Sequence, residues 1–285
     1  PRGTPTLNHY HAHFLVEDVM RGMTDELVKA RQPFLAYLHF YPPHDPYRPR
    51  RDFVGIFPND GRPDTKPEHF LSEGHSQEVL NQQRTWYDEY IAHVDAEFGR
   101  MDNSLRRSGL LRNSCVVITS DHGELFERGV LGHLTPLMYD PVIQIPLIIS
   151  TPGQKQRKDV HAPTSCIDLL PTLLDLTGKS IPDWCEGRIL PELGGYKEGP
   201  AVFSGKAKEN SMNRPLTRGT IVMVRDRYKL NHYTGYPGYE NEYELYDLEN
   251  DPGELENLYS STNPTAVEIR SQLELKLVEV DQPYV

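Results

Sequence analysis

The sequence predicts an α/β fold followed by a smaller α+β unit, and three observations carry that expectation. Segments with helical and strand-like patterning alternate through the first two-thirds in the order helix, strand, helix, strand, strand, helix. The strand-like pieces are short apolar runs that end in Pro, Gly or polar clusters. From about residue 195 the texture changes to short β-type pieces with polar connections, as in a small antiparallel sheet. We therefore expect two regions, an α/β layer over residues 1–194 and an α+β subdomain over 195–285.

Taken in order, His11 to Arg31 places Leu15, Val19, Met23 and Leu27 four apart, a helical stripe that Pro33 ends. Phe34-Leu-Ala-Tyr-Leu-His-Phe40 reads as a short buried strand, and the prolines of Tyr41-Pro-Pro-His-Asp-Pro-Tyr47 then forbid regular structure. Residues 48–80, rich in Pro, Gly, Asp and His, read as a long surface excursion. Tyr87, Tyr90, Ile91, Val94, Phe98, Met101 and Leu105 follow the 3.6 period of a second helix, with Gly109 placed to terminate it. Val116–Thr119 and Ile145–Ile149 are apolar strand candidates. Ser165-Cys-Ile-Asp168 has capping-box form ahead of a helix that runs through Leu176. Ala201–Phe203, Thr220–Val224, Tyr228–Leu230 and Tyr243–Tyr246 supply the later strands. A closing helix opens at Pro264, with Ile269, Leu273 and Leu277 on one face.

Composition narrows the function classes. Of 285 residues, 37% are hydrophobic, enough for a core, and no run approaches 18 uncharged apolar residues, so no spanning helix is expected. The net charge, 30 − 41 = −11, disfavours a nucleic-acid-binding surface. Pro1-Arg2-Gly3-Thr4 has no secretory signal pattern. Cys115, Cys166 and Cys185 are too few and too scattered for a disulfide framework or a thiolate zinc site. None of this assigns a compartment or an oligomeric state.

Polar residues just beyond strand ends are where ligands gather in α/β sheets. Asp121 and His122 come just after Val116–Thr119, and Gly123 permits a turn that would let both reach one divalent cation, Ca²⁺, Mg²⁺, Mn²⁺ or Zn²⁺ according to the remaining ligands. The competing reading is an Asp-His pair in a polar turn. His44 lies among Pro42, Pro43 and Pro46, which stiffen its loop, so its imidazole could meet an anionic oxygen or protonate a leaving group; a surface turn histidine is the alternative. His133, on the loop Gly129–His133, is a weaker candidate. His9, His11, His13, His69, His75 and His161 have no strand-end setting and read as bystanders. Arg48, Arg50 and Arg51 could meet a polyanionic saccharide, with a solvated turn as the alternative.

Together these segments resemble the sulfatase family of the alkaline-phosphatase-like superfamily. Phe34–Tyr47 is similar to the family's apolar strand and Pro-His-x-Pro loop. Tyr90-Ile-Ala-His-Val-Asp95 with Gly99 resembles the helix before its metal strand, and Val116-Val-Ile-Thr-Ser-Asp-His-Gly-Glu124 its metal-ligand segment. Pro146–Ile149, Asp168–Leu174 and Tyr243–Leu258 resemble its later segments. The resemblance implies an alkaline-phosphatase-like mixed sheet flanked by helices and hydrolysis of a sulfate ester on a small molecule or saccharide. It implies one divalent cation, usually calcium, with magnesium or manganese as alternatives. By position, Asp121 and His122 would be metal ligands, His44 would contact the sulfate group and assist the leaving oxygen, and His133 would contact sulfate.

Sulfatases also carry an Asp-Asp metal pair and a Cys-x-Pro-x-Arg or Ser-x-Pro-x-Arg motif whose Cys or Ser becomes the formylglycine nucleophile. Cys115 is followed by Val-Val, Cys166 by Ile-Asp and Cys185 by Glu-Gly-Arg, so none fits, and no Ser-x-Pro-x-Arg occurs. The resemblance thus covers the C-terminal two-thirds of a sulfatase, and the expectation is that this chain alone is catalytically silent, its activity belonging to a longer parent or a complex with an N-terminal piece. Two alternatives stand beside sulfate ester hydrolysis: a phosphate or phosphonate ester hydrolase of the same superfamily, and a non-catalytic domain that binds sulfated glycans or a partner chain.

Overall fold

A computed structural model describes residues 15–57, 65–195, 201–207 and 217–281. It shows an α/β chain with a C-terminal sheet subdomain. It divides into two compact units, the first drawn from Pro1–Asp64, His75–Ser120 and Pro146–Lys155, the second from Thr65–Gly74, Asp121–Ile145 and Gln156–Val285.

In the first unit, helix α1 (Val16–Lys29) packs on the long helix α2 (Gln77–Arg107). The start expected for α1 near His11 lies outside the described residues. Helix α2 begins ten residues before the apolar stripe announces it. Its first turns, Gln77–Trp86, are mostly polar, and the start is set by Ser76, whose side chain accepts from the Val79 amide at 3.4 Å. Along its inner face Tyr90, His93, Glu97, Met101 and Leu105 are buried at helical spacing, so the stripe is partly polar. Strand β1 (Val116–Thr119) pairs antiparallel with a later strand, Leu147–Ser150, in the register Val116↔Ser150 to Thr119↔Leu147.

The strand expected at Phe34–Phe40 is not formed. The segment is extended but joins no sheet among the described residues, and Leu35 and Tyr37 are 87% and 84% exposed. An apolar run becomes a strand only when a neighbour accepts its backbone hydrogen bonds.

In the second unit, β2 (Leu125–Glu127) and β3 (Val130–Gly132) form a hairpin where the sequence predicts a loop. Its two-residue connection, Arg128-Gly129, has positive φ at both positions, 57° and 77°. That is the geometry matched to strand twist, disguised here by an arginine where Asn or Asp usually announces it. The short helix α3 (Asp140–Ile143) precedes the Leu147–Ser150 strand, now β4. Ser165 and Asp168 form the expected capping box ahead of α4 (Leu169–Leu176).

Strands β5 (Val202–Lys206), β6 (Gly219–Arg225), β7 (Tyr228–Thr234) and β8 (Glu242–Asp247) form an antiparallel sheet in that order. Period-two alternation sorts its residues. Val222, Tyr233 and Tyr246 face a core with Leu125, Val130, Leu137, Tyr139 and Val142. Met223, Leu230 and Leu245 face the other way, against Ala266 and Leu273 of the closing helix α5 (Pro264–Asp281).

Candidate active site

Asp121 and His122 follow β1 after one residue, Ser120, where the chain passes from the first unit to the second. The His122 amide donates to Asp121 Oδ1 at 3.1 Å, and Asp121 Oδ2 lies 3.8 Å from His122 Nε2. Oxygen and imidazole donors thus lie close enough to share one cation, and this donor set fits the divalent ion that the sequence implied. His122 Nδ1 is 3.0 Å from the Gly123 carbonyl, which helps fix the ring. Gly123 is needed for a reason other than the turn freedom expected of it. Its amide donates to the Val142 carbonyl at 2.8 Å, and a Cβ would fall on the Pro141 carbonyl oxygen, so α3 approaches too closely for any side chain.

His133 sits directly after β3, not in a loose loop, and its ring stacks on His122 with centroids 3.7 Å apart and planes 25° apart. Its Nδ1 is 3.0 Å from Glu124 Oε1. The structure therefore brings Asp121, His122 and His133 together in the second unit and adds Glu124, to which the sequence alone gives no role. The signal was available, since Glu124 and His133 sit across the β2–β3 hairpin, but only once that hairpin is recognised.

His44 belongs to the first unit. Its amide donates to the Tyr41 carbonyl at 3.0 Å, its Nδ1 lies 2.8 Å from the Asp45 carbonyl, and its ring stacks on Tyr41 at 4.5 Å. Tyr47, buried against Tyr87 of α2 at 5.3 Å, anchors the end of this proline-rich loop.

Arg50 is not available to a polyanion. Its Nη1 donates to Glu17 at 2.6 Å and to Glu97 at 2.9 Å, and its Nε to Asp52 at 2.6 Å. These acceptors raise the guanidinium pKa, Asp52 first, while burial works weakly against them. Glu17, His93 and Glu97 offer ligand atoms within 4.8 Å of one another. The guanidinium already bridges the two carboxylates, the Arg50 amide donates to His93 Nδ1 at 3.2 Å, and Arg100 also meets Glu97. This cluster is an ion-pair node that ties the 50–53 turn to α1 and α2.

His69, set aside as a bystander, is a buried partner of Glu244, with Nε2 at 2.9 Å from Oε1.

Comparison with known proteins places these residues in context. The sulfatase family model matches residues 4–179, and a model of the N-sulphoglucosamine sulphohydrolase C-terminal region matches 135–283. Choline-sulfatase of Rhizobium meliloti is 28% identical over 254 residues, which cover 81% of this chain and 47% of that protein. The delta 4,5-hexuronate-2-O-sulfatase of Bacteroides thetaiotaomicron is 32% identical over 178 residues, 60% of this chain and 36% of that one. Among solved structures, a 2-O GAG sulfatase superposes with a TM-score of 0.69 at 24% identity, covering 100% of this chain and 67% of that one. A phosphonate monoester hydrolase from Silicibacter pomeroyi superposes with a TM-score of 0.74 at 22% identity, covering 95% and 62%. These likenesses show the alkaline-phosphatase-like fold. The chain spans less than half the length of these two curated relatives. With its family model matched across residues 4–179, the chain belongs to the sulfatase family.

Proposed function

We propose that the chain contributes to the active centre of a sulfuric ester hydrolase that works with one divalent cation. Asp121 and His122 hold the cation; His44 and His133 contact the sulfate group. The observation that carries this is the carboxylate oxygen and imidazole nitrogen 3.8 Å apart at the end of β1, with a second imidazole stacked on the first. A hard carboxylate oxygen suits calcium, and magnesium or manganese also accept a carboxylate–imidazole pair. When bound, the cation supplies positive charge beside the ester oxygens. His44, stiffened by its prolines and by Tyr41, is suited to donate a hydrogen bond to an anionic oxygen or a proton to the leaving oxygen. The nucleophile is not among the residues assigned here, and the activity is that of the complete enzyme. The names of the relatives, a choline sulfatase and a hexuronate 2-O-sulfatase, support a sulfated small molecule or saccharide as substrate.

In the complete enzyme, His44→Ala should lower turnover of an aryl sulfate by roughly 10²–10⁴-fold while metal content stays the same. Unchanged kinetics would remove His44 from the site. The phosphonate monoester hydrolase likeness favours a second reading, hydrolysis of a phosphonate or phosphate ester. Matched aryl sulfate and aryl phosphonate assays decide between them, and a clear preference for the phosphonate would displace the sulfatase reading.

A further inference from the structure

We propose that Glu124 is a positioning residue for His133, fixing both the rotation of that ring and the nitrogen it turns toward the substrate. The inference rests on the assignment of His133 as a sulfate contact. Glu124 lies at the start of the β2–β3 hairpin and His133 at its end, so the hairpin register, Leu125↔Gly132, brings them together. The Glu124 side chain is 4% exposed, and its Oε1 lies 3.0 Å from His133 Nδ1. Nδ1–H is assigned as the donor and the carboxylate oxygen as the acceptor, an assignment made from the pairing.

The second oxygen, Oε2, is buried and has no hydrogen-bond partner among the described residues. Among the described residues the one hydrogen bond of this carboxylate is to His133, which directs it at that ring. The surroundings are shaped for it. Gly132 has φ of +89°, and a Cβ there would press on Oε2 from 3.3 Å.

Two of the contacts to His133 act on different degrees of freedom. The stack on His122, at 3.7 Å, sets the plane of its ring. The bond to Glu124 sets the rotation within that plane and commits Nδ1, and Nε2 is assigned to the sulfate group. Carboxylates that orient a metal-bound imidazole are worth about 10–100-fold in activity, and a loss of the same order is expected for this substrate-facing one.

The test has two readouts. In the ¹⁵N-histidine-labelled chain, the hydrogen-bonded Nδ1 proton of His133, identified by its loss in His133→Ala, should exchange slowly, vanish in Glu124→Ala and persist in Glu124→Gln, which keeps an acceptor oxygen. In the complete enzyme, E124A should lower kcat/KM about 10–100-fold, E124Q should restore most of it, and E124A should add nothing in the H133A background. If E124A does not fold, Glu124→Leu, which keeps volume without an acceptor, takes its place. A Nδ1 signal that survives E124A or E124L, or losses that multiply in the double variant, would overturn the proposal. If H133A itself leaves turnover unchanged, the sulfate-contact assignment falls and the catalytic role of Glu124 with it, while the Nδ1 signal still decides the pairing.

Discussion

Gly123 stands between the two proposed cation ligands and the backbone of α3. Because a Cβ there would strike the Pro141 carbonyl, Gly123→Ala forces the Asp121–His122 turn away from Val142. We expect a loss of about 1–3 kcal/mol, the usual range for overpacking, read by urea denaturation, together with weaker calcium binding in the complete enzyme. Asp121 behaves differently. Its side chain is 69% exposed, so Asp121→Ala should leave stability almost unchanged while abolishing cation binding in calorimetry. Near-normal calcium affinity in that variant would count against Asp121 as a ligand. At this scale the sequence was informative wherever chemistry and position coincide, as with an Asp-His pair just after a short apolar strand that is only half-buried. It was uninformative for Arg50, whose acid partners Glu17 and Glu97 lie 33 and 47 residues away and meet it only through tertiary packing.

The C-terminal sheet shows what alternation conceals as well as what it reveals. One face of β7 and β8 carries Lys229, Asn231, Tyr233, Glu244 and Tyr246, all buried. Lys229 is fully buried, with Nζ 2.9 Å from Asp140 and 2.6 Å from Glu254. Burial pushes the Glu254 carboxyl up, and Lys229 pulls against it. Lys229→Met would leave both carboxylates without their cation, so we expect a loss of about 3–5 kcal/mol in chemical denaturation. Glu244 has the opposite balance. Burial raises its pKa, but the hydrogen bond and charge of His69, with Tyr233 and Asn231, bring it below the ordinary 4.5. A carboxyl lowered in the folded state contributes stability above its unfolded value, and that contribution is lost as pH falls through the folded value. Glu244→Gln should therefore flatten the acid limb of melting temperature against pH below about 4.5 relative to the parent. Superimposable acid limbs would contradict the assignment. The strands of this sheet were legible because Val, Ile, Leu and Tyr recur in their sequence. The β2–β3 hairpin was not, because its turn uses Arg128 at positive φ, which only the surrounding contacts justify. Among them, Arg128 stacks over Tyr139 at 4.1 Å and donates to the Gly253 carbonyl at 2.9 Å.

At the scale of the whole molecule, apolar surface and net charge pull in opposite directions. Leu35, Tyr37, Leu15 and Ile148 of the first unit are strongly exposed, while the chain carries a net charge of −11. An extended apolar segment with unpaired backbone groups invites association. We expect self-association of this chain to rise with salt, as charge repulsion is screened, and to fall in the double variant Leu35→Lys, Tyr37→Lys, both measured by sedimentation velocity. Equal sedimentation of parent and variant at high salt would show that this strip is not the sticky surface.

The sequence by itself determined the order and type of most elements, the family and the placement of Asp121 and His122 just past β1. The elements and the pair rest on short-range patterning, apolar periodicity, capping residues and strand-end placement, which neighbouring residues write directly, and the family rests on the resemblance of the motifs in their order. Only the tertiary structure decided which apolar run finds a partner strand, that Gly123 is required by an approaching carbonyl, that Arg50 is locked into ion pairs, and that Glu124 meets His133. Those outcomes depend on groups far apart in the chain coming within a few ångströms, and no local pattern records that.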